Sequence, residues 1–331
     1  LIRMNNAGIV GLGMVVPDKV LTNHDLEKMV ETSDEWIKTR TGIEQRRIAN
    51  DDVFTSDLAA AAAEKALQDA GLKGDEVELI IVATCTPDMY SPSTACIVQH
   101  KLGAVNAAAF DVNAACSGFI YCLSIANQFI SSGQYKNALV IGAETLSKVI
   151  DWKDKNTCVL FGDGAGAVVL KPVEENKGIL ATHLGADGSI GKHLTILGLA
   201  LEPQEVEKRS SDNPRTLWMN GSEVFKFAVK IMAEASLTVL EKANKTLEDV
   251  SLIVPHQANI RIVDGAAKRL KVKNDKIYIN LYKYGNTSAA SIPIALCEAV
   301  EEERIKKDDL LVLVGFGGGL TWGSAVIRWA K

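Results

Sequence analysis

The chain repeats itself at an offset of 173 residues, and this duplication restricts the fold more than any other feature. Glu76-Val77-Glu78-Leu79-Ile80-Ile81-Val82 advances onto Asp249-Val250-Ser251-Leu252-Ile253-Val254-Pro255. Asn113 lands on Asn286, and Ala138-Leu139-Val140-Ile141-Gly142 lands on Leu311-Val312-Leu313-Val314-Gly315. These matches share one offset without a gap. Gly71, which follows an expected helix over about 56–70, lands on Asn244; Gly and Asn are the two residue types that best take a left-handed helix cap. The register breaks near 145–160, where the first copy carries extra residues before Gly166-Ala167-Val168-Val169, which resembles Ser324-Ala325-Val326-Ile327. That insertion is a candidate lid or subunit contact.

Each copy reads helix, apolar strand, loop, helix, apolar strand, glycine-rich turn, strand. Uninterrupted apolar strands such as 79–83 imply sheets buried on both faces. Two such halves related by a pseudo-twofold axis make an α/β fold of five layers, α/β/α/β/α. The expected boundary lies near residue 175, where the charged segment after Pro172 interrupts the pattern, giving halves 4–175 and 176–331. Met4 reads as the natural start, so Leu1 to Arg3 are excluded from this reasoning.

Composition limits the partners. With 36 Lys+Arg against 41 Asp+Glu the formal charge is −5, which argues against general binding to nucleic acid or an anionic membrane. Residues 310–327 form an uncharged, largely apolar stretch; five glycines divide it into strand, loop and strand, not a membrane span. The six cysteines (85, 96, 116, 122, 158, 297) form no CxxC pair and the five histidines form no HExxH or His-Cys cluster, so no metal site or disulfide framework is expected. A reducing cytoplasm fits that usage.

The chemistry concentrates where the copies match. Cys116 lies where an expected strand (108–112) passes into an expected helix (about 117–132), facing the positive helix end, which favours thiolate over thiol. Position alone leaves it open between a nucleophile and a small buried hydrophobe. The latter reading is taken for Cys85, Cys122, Cys158 and Cys297. His256 follows the strand matching 79–83, and Asn286 precedes the repeated helix, so a twofold axis would bring both to one crevice with Cys116. Gly315-Phe316-Gly317-Gly318-Gly319-Leu320 can turn N–H groups toward a ligand as an oxyanion hole, or can be a tight hairpin. Gly162-Asp163-Gly164-Ala165-Gly166 precedes a strand, so it is rejected as a dinucleotide loop.

Over essentially its whole length the chain resembles the β-ketoacyl-acyl-carrier-protein synthase III family of the thiolase superfamily. The resemblance is carried by Asn-Ala-Ala-Cys116-Ser-Gly, Pro-His256-Gln-Ala-Asn, Gly-Asn286-Thr-Ser-Ala-Ala-Ser, Phe-Gly-Asp-Gly-Ala-Gly and Gly-Gly-Gly-Leu-Thr-Trp-Gly-Ser. It implies a thiolase-like fold and a decarboxylating Claisen condensation of an acyl-CoA primer with malonyl-ACP. Cys116 would be the nucleophile, the N–H groups of Cys116 and Gly318 the oxyanion hole, and His256 and Asn286 the donors to an enolate. By the same resemblance Trp36 and Arg40, four apart on an expected helix, flank the adenine of CoA. Lys155 stands where the family has a second arginine, keeping the charge and losing the planar fork. The resemblance also implies that Thr32, Met219, Gly221, Phe225 and Asn259 line the pantetheine tunnel.

Arg261, Lys268 and Arg269, with Lys271 and Lys273 nearby, form a candidate docking patch for the acidic carrier protein. The acyl pocket would be closed across a homodimer interface by Ser91, where acetyl-preferring members carry an aromatic residue, beside Met89 and Tyr90. The smaller side chain predicts acceptance of branched or longer primers. No cofactor or metal is implied. Two other readings stand beside this one: a secondary-metabolite ketosynthase, polyketide or quinolone, of the same fold, and a non-catalytic acyl or CoA-binding scaffold.

Overall fold

The structure, a computed structural model, describes residues 6–207, 209 and 213–331. Met4 and the residues before it lie outside the described residues. Strands β1 (Ala7–Val15), β2 (Leu79–Ala83), β3 (Ala108–Val112), β4 (Ala138–Glu144) and β5 (Gly164–Pro172) form one sheet in the order β1-β5-β4-β2-β3. Strands β6 (Gly178–Ala186), β7 (Leu252–Pro255), β8 (Leu310–Gly317) and β9 (Thr321–Arg328) form a second in the order β7-β8-β9-β6. The sheets therefore divide between residues 172 and 178.

Alternation within the strands builds the layers. Leu79, Ile81, Ala83, Ala138 and Val140 of the first sheet share a core with Leu252, Val254, Leu311 and Leu313 of the second. Between them lie helices α4 (Gly118–Ser131) and α7 (Ser291–Glu301), which contribute Phe119, Ile120 and Leu123, and Ile292, Ala295 and Leu296. The opposite faces are covered too. Ile80, Val82, Leu139 and Ile141 pack under helices α2 (Thr55–Asp69) and α3 (Thr94–Lys101). Ile253, Val312 and Val314 pack under α5 (Gly221–Lys242) and α6 (Ile260–Leu270). The result is the five-layer thiolase fold.

The duplication is kept in backbone detail. Helices α4 and α7 begin at Gly118 and Ser291, each after a 3-10 turn, Ala115–Ser117 and Ser288–Ala290. Gly71 (φ 63°) and Asn244 (φ 52°) both take the left-handed cap. The helix expected over about 117–132 is observed over 118–131 behind the 3-10 turn, and β3 has no counterpart strand in the second sheet. Its matching segment is the short helix Leu281–Tyr284, in which Leu281 and Tyr284 are buried and the Tyr284 hydroxyl donates to Glu298 Oε1 at 2.6 Å. β3 is thus an edge strand.

Candidate active site

The nucleophile turn and its repeat are built alike. Asn113 Oδ1 accepts from the Ala115 N–H at 3.3 Å, and Asn286 Oδ1 accepts from the Ser288 N–H at 2.9 Å. Ala115 (φ 44°) and Ser288 (φ 49°) are both left-handed, so each chain reverses sharply out of its loop into a central helix. In this turn Cys116 is 7% exposed. Burial pushes its thiol up to about 12, while a hydrogen bond from Ser288 acts in the opposite direction. Burial therefore opposes the helix end, which favours the thiolate.

The glycine hairpin presses on this turn. A Cβ on Gly317 would lie 2.5 Å from the Cys116 nitrogen, so only glycine lets β8 approach the nucleophile. Thr321 Oγ1 donates to Ala114 O at 3.0 Å and accepts from Ser117 Oγ at 2.8 Å, tying loop and turn together. Gly318 follows on the cavity side.

His256 leaves the end of β7 with its N–H donating to Val314 O at 2.8 Å. Its ring is 1% exposed, and burial alone lowers its pKa to about 3, so the imidazole is neutral. Nδ1 lies 2.7 Å from Ser291 Oγ, which also accepts from the Gln257 N–H at 3.4 Å. A hydrogen bond donated by the Ser291 hydroxyl to Nδ1 would place the imidazole hydrogen on Nε2, the tautomer a donor role for His256 requires. The Phe316 ring stands edge-on, 5.5 Å between centroids. Asn286 is fixed similarly: its Oδ1 is taken by Ser288, so its NH2 is the end available as a donor. Backbone bonds from Asn286 N to Leu160 O (2.8 Å) and from Gly162 N to Asn286 O (3.0 Å) dock the insertion against it.

Two cavities meet at Cys116. One, of about 800 Å³, has His256, Asn286 and Phe316 at its inner end and Trp36, Arg40 and Arg261 among its walls. The other, of about 890 Å³, runs the opposite way past Leu146, Val149, Leu217 and Gly318 to Met89 and Tyr90. The insertion lines both, through Asn156 and Val159 on one side and Leu146 and Val149 on the other.

Helix α1 (Asp34–Thr41) carries Trp36 and Arg40 on one face, with the guanidinium carbon 5.9 Å from the ring centroid. Met219, Gly221, Phe225 and Asn259 line the first cavity. Asn259 is also the N-cap of α6 and ties it to α1 by donating to Arg40 O at 3.0 Å. Thr32 and Lys155 do not line it. Thr32 is half-buried, and Lys155 is exposed while its neighbour Asn156 lines the wall. Arg261 stacks 5.6 Å over the Phe225 ring, with Lys268 and Arg269 exposed further along α6. Tyr90 is 74% exposed at the rim of the second cavity, and Ser91 is exposed beside it, outside the lining.

Models described as 3-oxoacyl-[acyl-carrier-protein] synthase III and its C-terminal part match residues 110–188 and 240–329. A β-ketoacyl-[acyl-carrier-protein] synthase III of Caldanaerobacter subterraneus subsp. tengcongensis is 59% identical over 325 residues, 98% of either chain. One from Geobacillus kaustophilus is 57% identical over 325 residues, 98% of this chain and 99% of that one. The chain belongs to the 3-oxoacyl-[acyl-carrier-protein] synthase III family.

It is accordingly a condensing acyltransferase of fatty-acid synthesis. The crystal structure of the Aquifex aeolicus family member superposes with a TM-score of 0.91 at 51% identity, covering 98% of this chain and 100% of that one. The priming β-ketosynthase of the R1128 polyketide pathway also superposes, with a TM-score of 0.92 at 33% identity, covering 100% and 98%. In this family member, sequence reasoning missed Glu144, Ser288 and Ser291 around the catalytic candidates. It also treated Cys85 as a buried small hydrophobe. Cys85 is half-buried in the second cavity, and its thiol donates to Glu144 Oε1 at 3.2 Å. The 173-residue offset was the available signal for Ser288, which falls on Ala115 in the nucleophile turn.

Proposed function

We propose that the chain takes an acyl group from acyl-CoA onto Cys116 and condenses it with malonyl-ACP. The observation that carries this reading is the placement of Cys116 at the junction of two cavities, with two neutral donors on one side of it. In loading, the Cys116 sulfur attacks the thioester carbonyl, the N–H groups of Cys116 and Gly318 hold the oxyanion, and the bond to the CoA sulfur breaks. The acyl chain then occupies the second cavity. In condensation the malonyl group loses CO2, and the electron pair passes to an enolate whose oxygen receives hydrogen bonds from His256 Nε2–H and Asn286 Nδ2–H. The enolate carbon attacks the acyl-Cys116 carbonyl, the C–S bond breaks, and 3-oxoacyl-ACP leaves.

Neither donor ionises at neutral pH, and no cofactor enters any step. Trp36 and Arg40 take the adenine end of CoA, and Arg261, Lys268 and Arg269 meet the acidic carrier protein. The edge strand β3, with exposed Val105 and Tyr90 nearby, fits a homodimer in which the partner closes the acyl cavity. Among the described residues no helix is long and apolar enough to cross a membrane, in keeping with a cytoplasmic enzyme.

Ser91, standing where acetyl-preferring family members carry an aromatic residue, favours branched or longer primers. Comparable turnover of acetyl-CoA and isobutyryl-CoA supports this, and strict preference for acetyl-CoA defeats it. Chasing the acyl-enzyme with malonyl-ACP and with malonyl-CoA separates the two pathways. Release of 3-oxoacyl product by malonyl-ACP alone supports fatty-acid initiation, and release by malonyl-CoA alone supports a secondary-metabolite ketosynthase.

A further inference from the structure

Arg46, in the short strand Gln45–Arg47 that pairs with Val20–Thr22, is completely buried. Among the described residues no carboxylate pairs with it. Nη1 donates to Asn23 Oδ1 at 2.8 Å and to Leu21 O at 3.3 Å, Nη2 donates to Val159 O at 2.6 Å, and Nε has no partner among the described residues. Burial pulls its pKa down to about 10, so it keeps its charge at neutral pH. A buried cation held only by neutral oxygens is costly, and apolar side chains of similar volume fill such a space at lower cost. Stability alone does not account for a guanidinium here.

The guanidinium reaches the insertion where the insertion holds Asn286. Val159 O, on Nη2, is followed by Leu160 O, which accepts from the Asn286 N–H at 2.8 Å, and by the Gly162 N–H, which donates to Asn286 O at 3.0 Å. Val159, Leu160 and Phe161 line the same cavity as Asn286. The arginine stem backs the same joint: a Cβ on Gly162 would lie 3.0 Å from Arg46 Cβ, and one on Gly285 would lie 3.3 Å from it. Both segments of the joint therefore rest on Arg46. The Asn23 side is anchored without the guanidinium, since Asn23 Nδ2 donates to Ile43 O at 2.8 Å and to Asp34 Oδ1 at 3.0 Å, and its N–H donates to Glu44 O at 3.2 Å. Helix α1, with Trp36 and Arg40, keeps that anchor when the guanidinium is removed, whereas Val159 O loses its donor.

We propose that Arg46 is a positioning residue for condensation, clamping the insertion at Val159 so that the Asn286 NH2 stays aimed at the enolate oxygen. This rests on Asn286 being an enolate donor. Arg46 lines neither cavity at Cys116, and its effect passes through the two backbone bonds that hold Asn286. The loading machinery is tied separately: Thr321 Oγ1 joins the glycine hairpin to Ala114 O and Ser117 Oγ in the nucleophile turn. Arg46 therefore serves the second half-reaction and spares the first. The hydrogen bonds it makes position a donor before the charge on the enolate develops, which is where a displaced group costs most.

The test is a double-mutant cycle in the full chain between Arg46→Met, which keeps an unbranched stem and removes the donors, and Asn286→Ala. Loading is followed by rapid quench and intact mass, and condensation by loss of the preformed acyl-Cys116 adduct after mixing with saturating malonyl-ACP. The proposal expects Arg46→Met to load within about twofold of wild type, with KM for acyl-CoA unchanged, and to condense about 10–10²-fold more slowly. In the Asn286→Ala background the same substitution is expected to cost less than about twofold more, because the group it positions is gone. Arg46→Lys keeps the charge but cannot fork between Asn23 and Val159, so it is expected to lose at least about threefold in condensation, again only where Asn286 is present, and it decides the question if Arg46→Met does not fold. A purely structural role slows condensation equally in both backgrounds, and a role in the CoA clamp raises KM for acyl-CoA; either result, or undiminished condensation in a variant that folds, overturns the proposal. Wild-type condensation by Asn286→Ala alone instead removes the donor assignment, and the proposal with it.

Discussion

Gly317→Ala tests how tightly the glycine hairpin defines the nucleophile. The added methyl would lie 2.5 Å from the Cys116 nitrogen, 3.0 Å from Ala115 Cβ and 3.2 Å from Cys116 Cα. Ordinary contact begins at 3.4 Å, so hairpin and turn must separate by about 0.9 Å. The obstructing atoms are backbone and a Cβ, and no side-chain rotation relieves them. A displacement of about 1 Å at reacting atoms costs about 10²-fold in rate, and overpacking of this kind costs about 1–3 kcal/mol of stability. The variant is therefore expected to fold, with a lowered Tm, and to form acyl-Cys116 about 10²-fold more slowly at saturating acyl-CoA. Rapid quench with intact mass reads the rate, and thermal unfolding reads the fold. Gly188→Ala is the control, because a Cβ there meets nothing within 4 Å. Loading by Gly317→Ala at the rate of that control would refute the reasoning.

The other expectations concern the second step and its partners. His256→Ala and Asn286→Ala each remove one enolate donor, so each should lower condensation about 10²–10³-fold and leave acyl-Cys116 formation intact; equal loss in both steps contradicts their assignment. Burial holds His256 at about 3, so condensation from preformed acyl-enzyme should show no imidazole inflection between about pH 5 and 8. An inflection there that disappears in His256→Asn would contradict a neutral donor. Lys268→Glu with Arg269→Glu, exposed on α6 and outside the cavity that takes acyl-CoA, should raise KM for malonyl-ACP without slowing loading; a loss shared by both half-reactions rejects the docking patch.

The five layers and the meeting of Cys116, His256 and Asn286 were legible because duplication fixes topology. Once 79–83 maps onto the strand before His256, and Asn113 maps onto Asn286, a twofold relation places all three loops at one crevice. The same offset explains why Ala115 and Ser288 share a backbone conformation unusual for either residue. Tertiary surroundings carried the rest. The helix end at Cys116 is visible in sequence, but the burial that opposes it arises from the opposite sheet and from a hairpin some 200 residues away in the chain. Glu144 ends a strand at an unremarkable position, and only the packed structure brings five donors to it. The second copy has no partner for β3 because Leu281 and Tyr284 bury as a helical turn, leaving the segment free to hold Asn286 against the insertion.

The central claim is that Cys116 carries the acyl group between the two half-reactions. Its most direct test is intact-protein mass spectrometry of the wild type and Cys116→Ala after mixing with a panel of acyl-CoAs, followed by peptide mapping and a chase with malonyl-ACP. The account predicts one acyl adduct per chain, confined to the peptide containing Cys116, absent in the variant and discharged by malonyl-ACP. An adduct on Cys85 or elsewhere, an adduct that persists in Cys116→Ala, or no adduct from any acyl-CoA would contradict it.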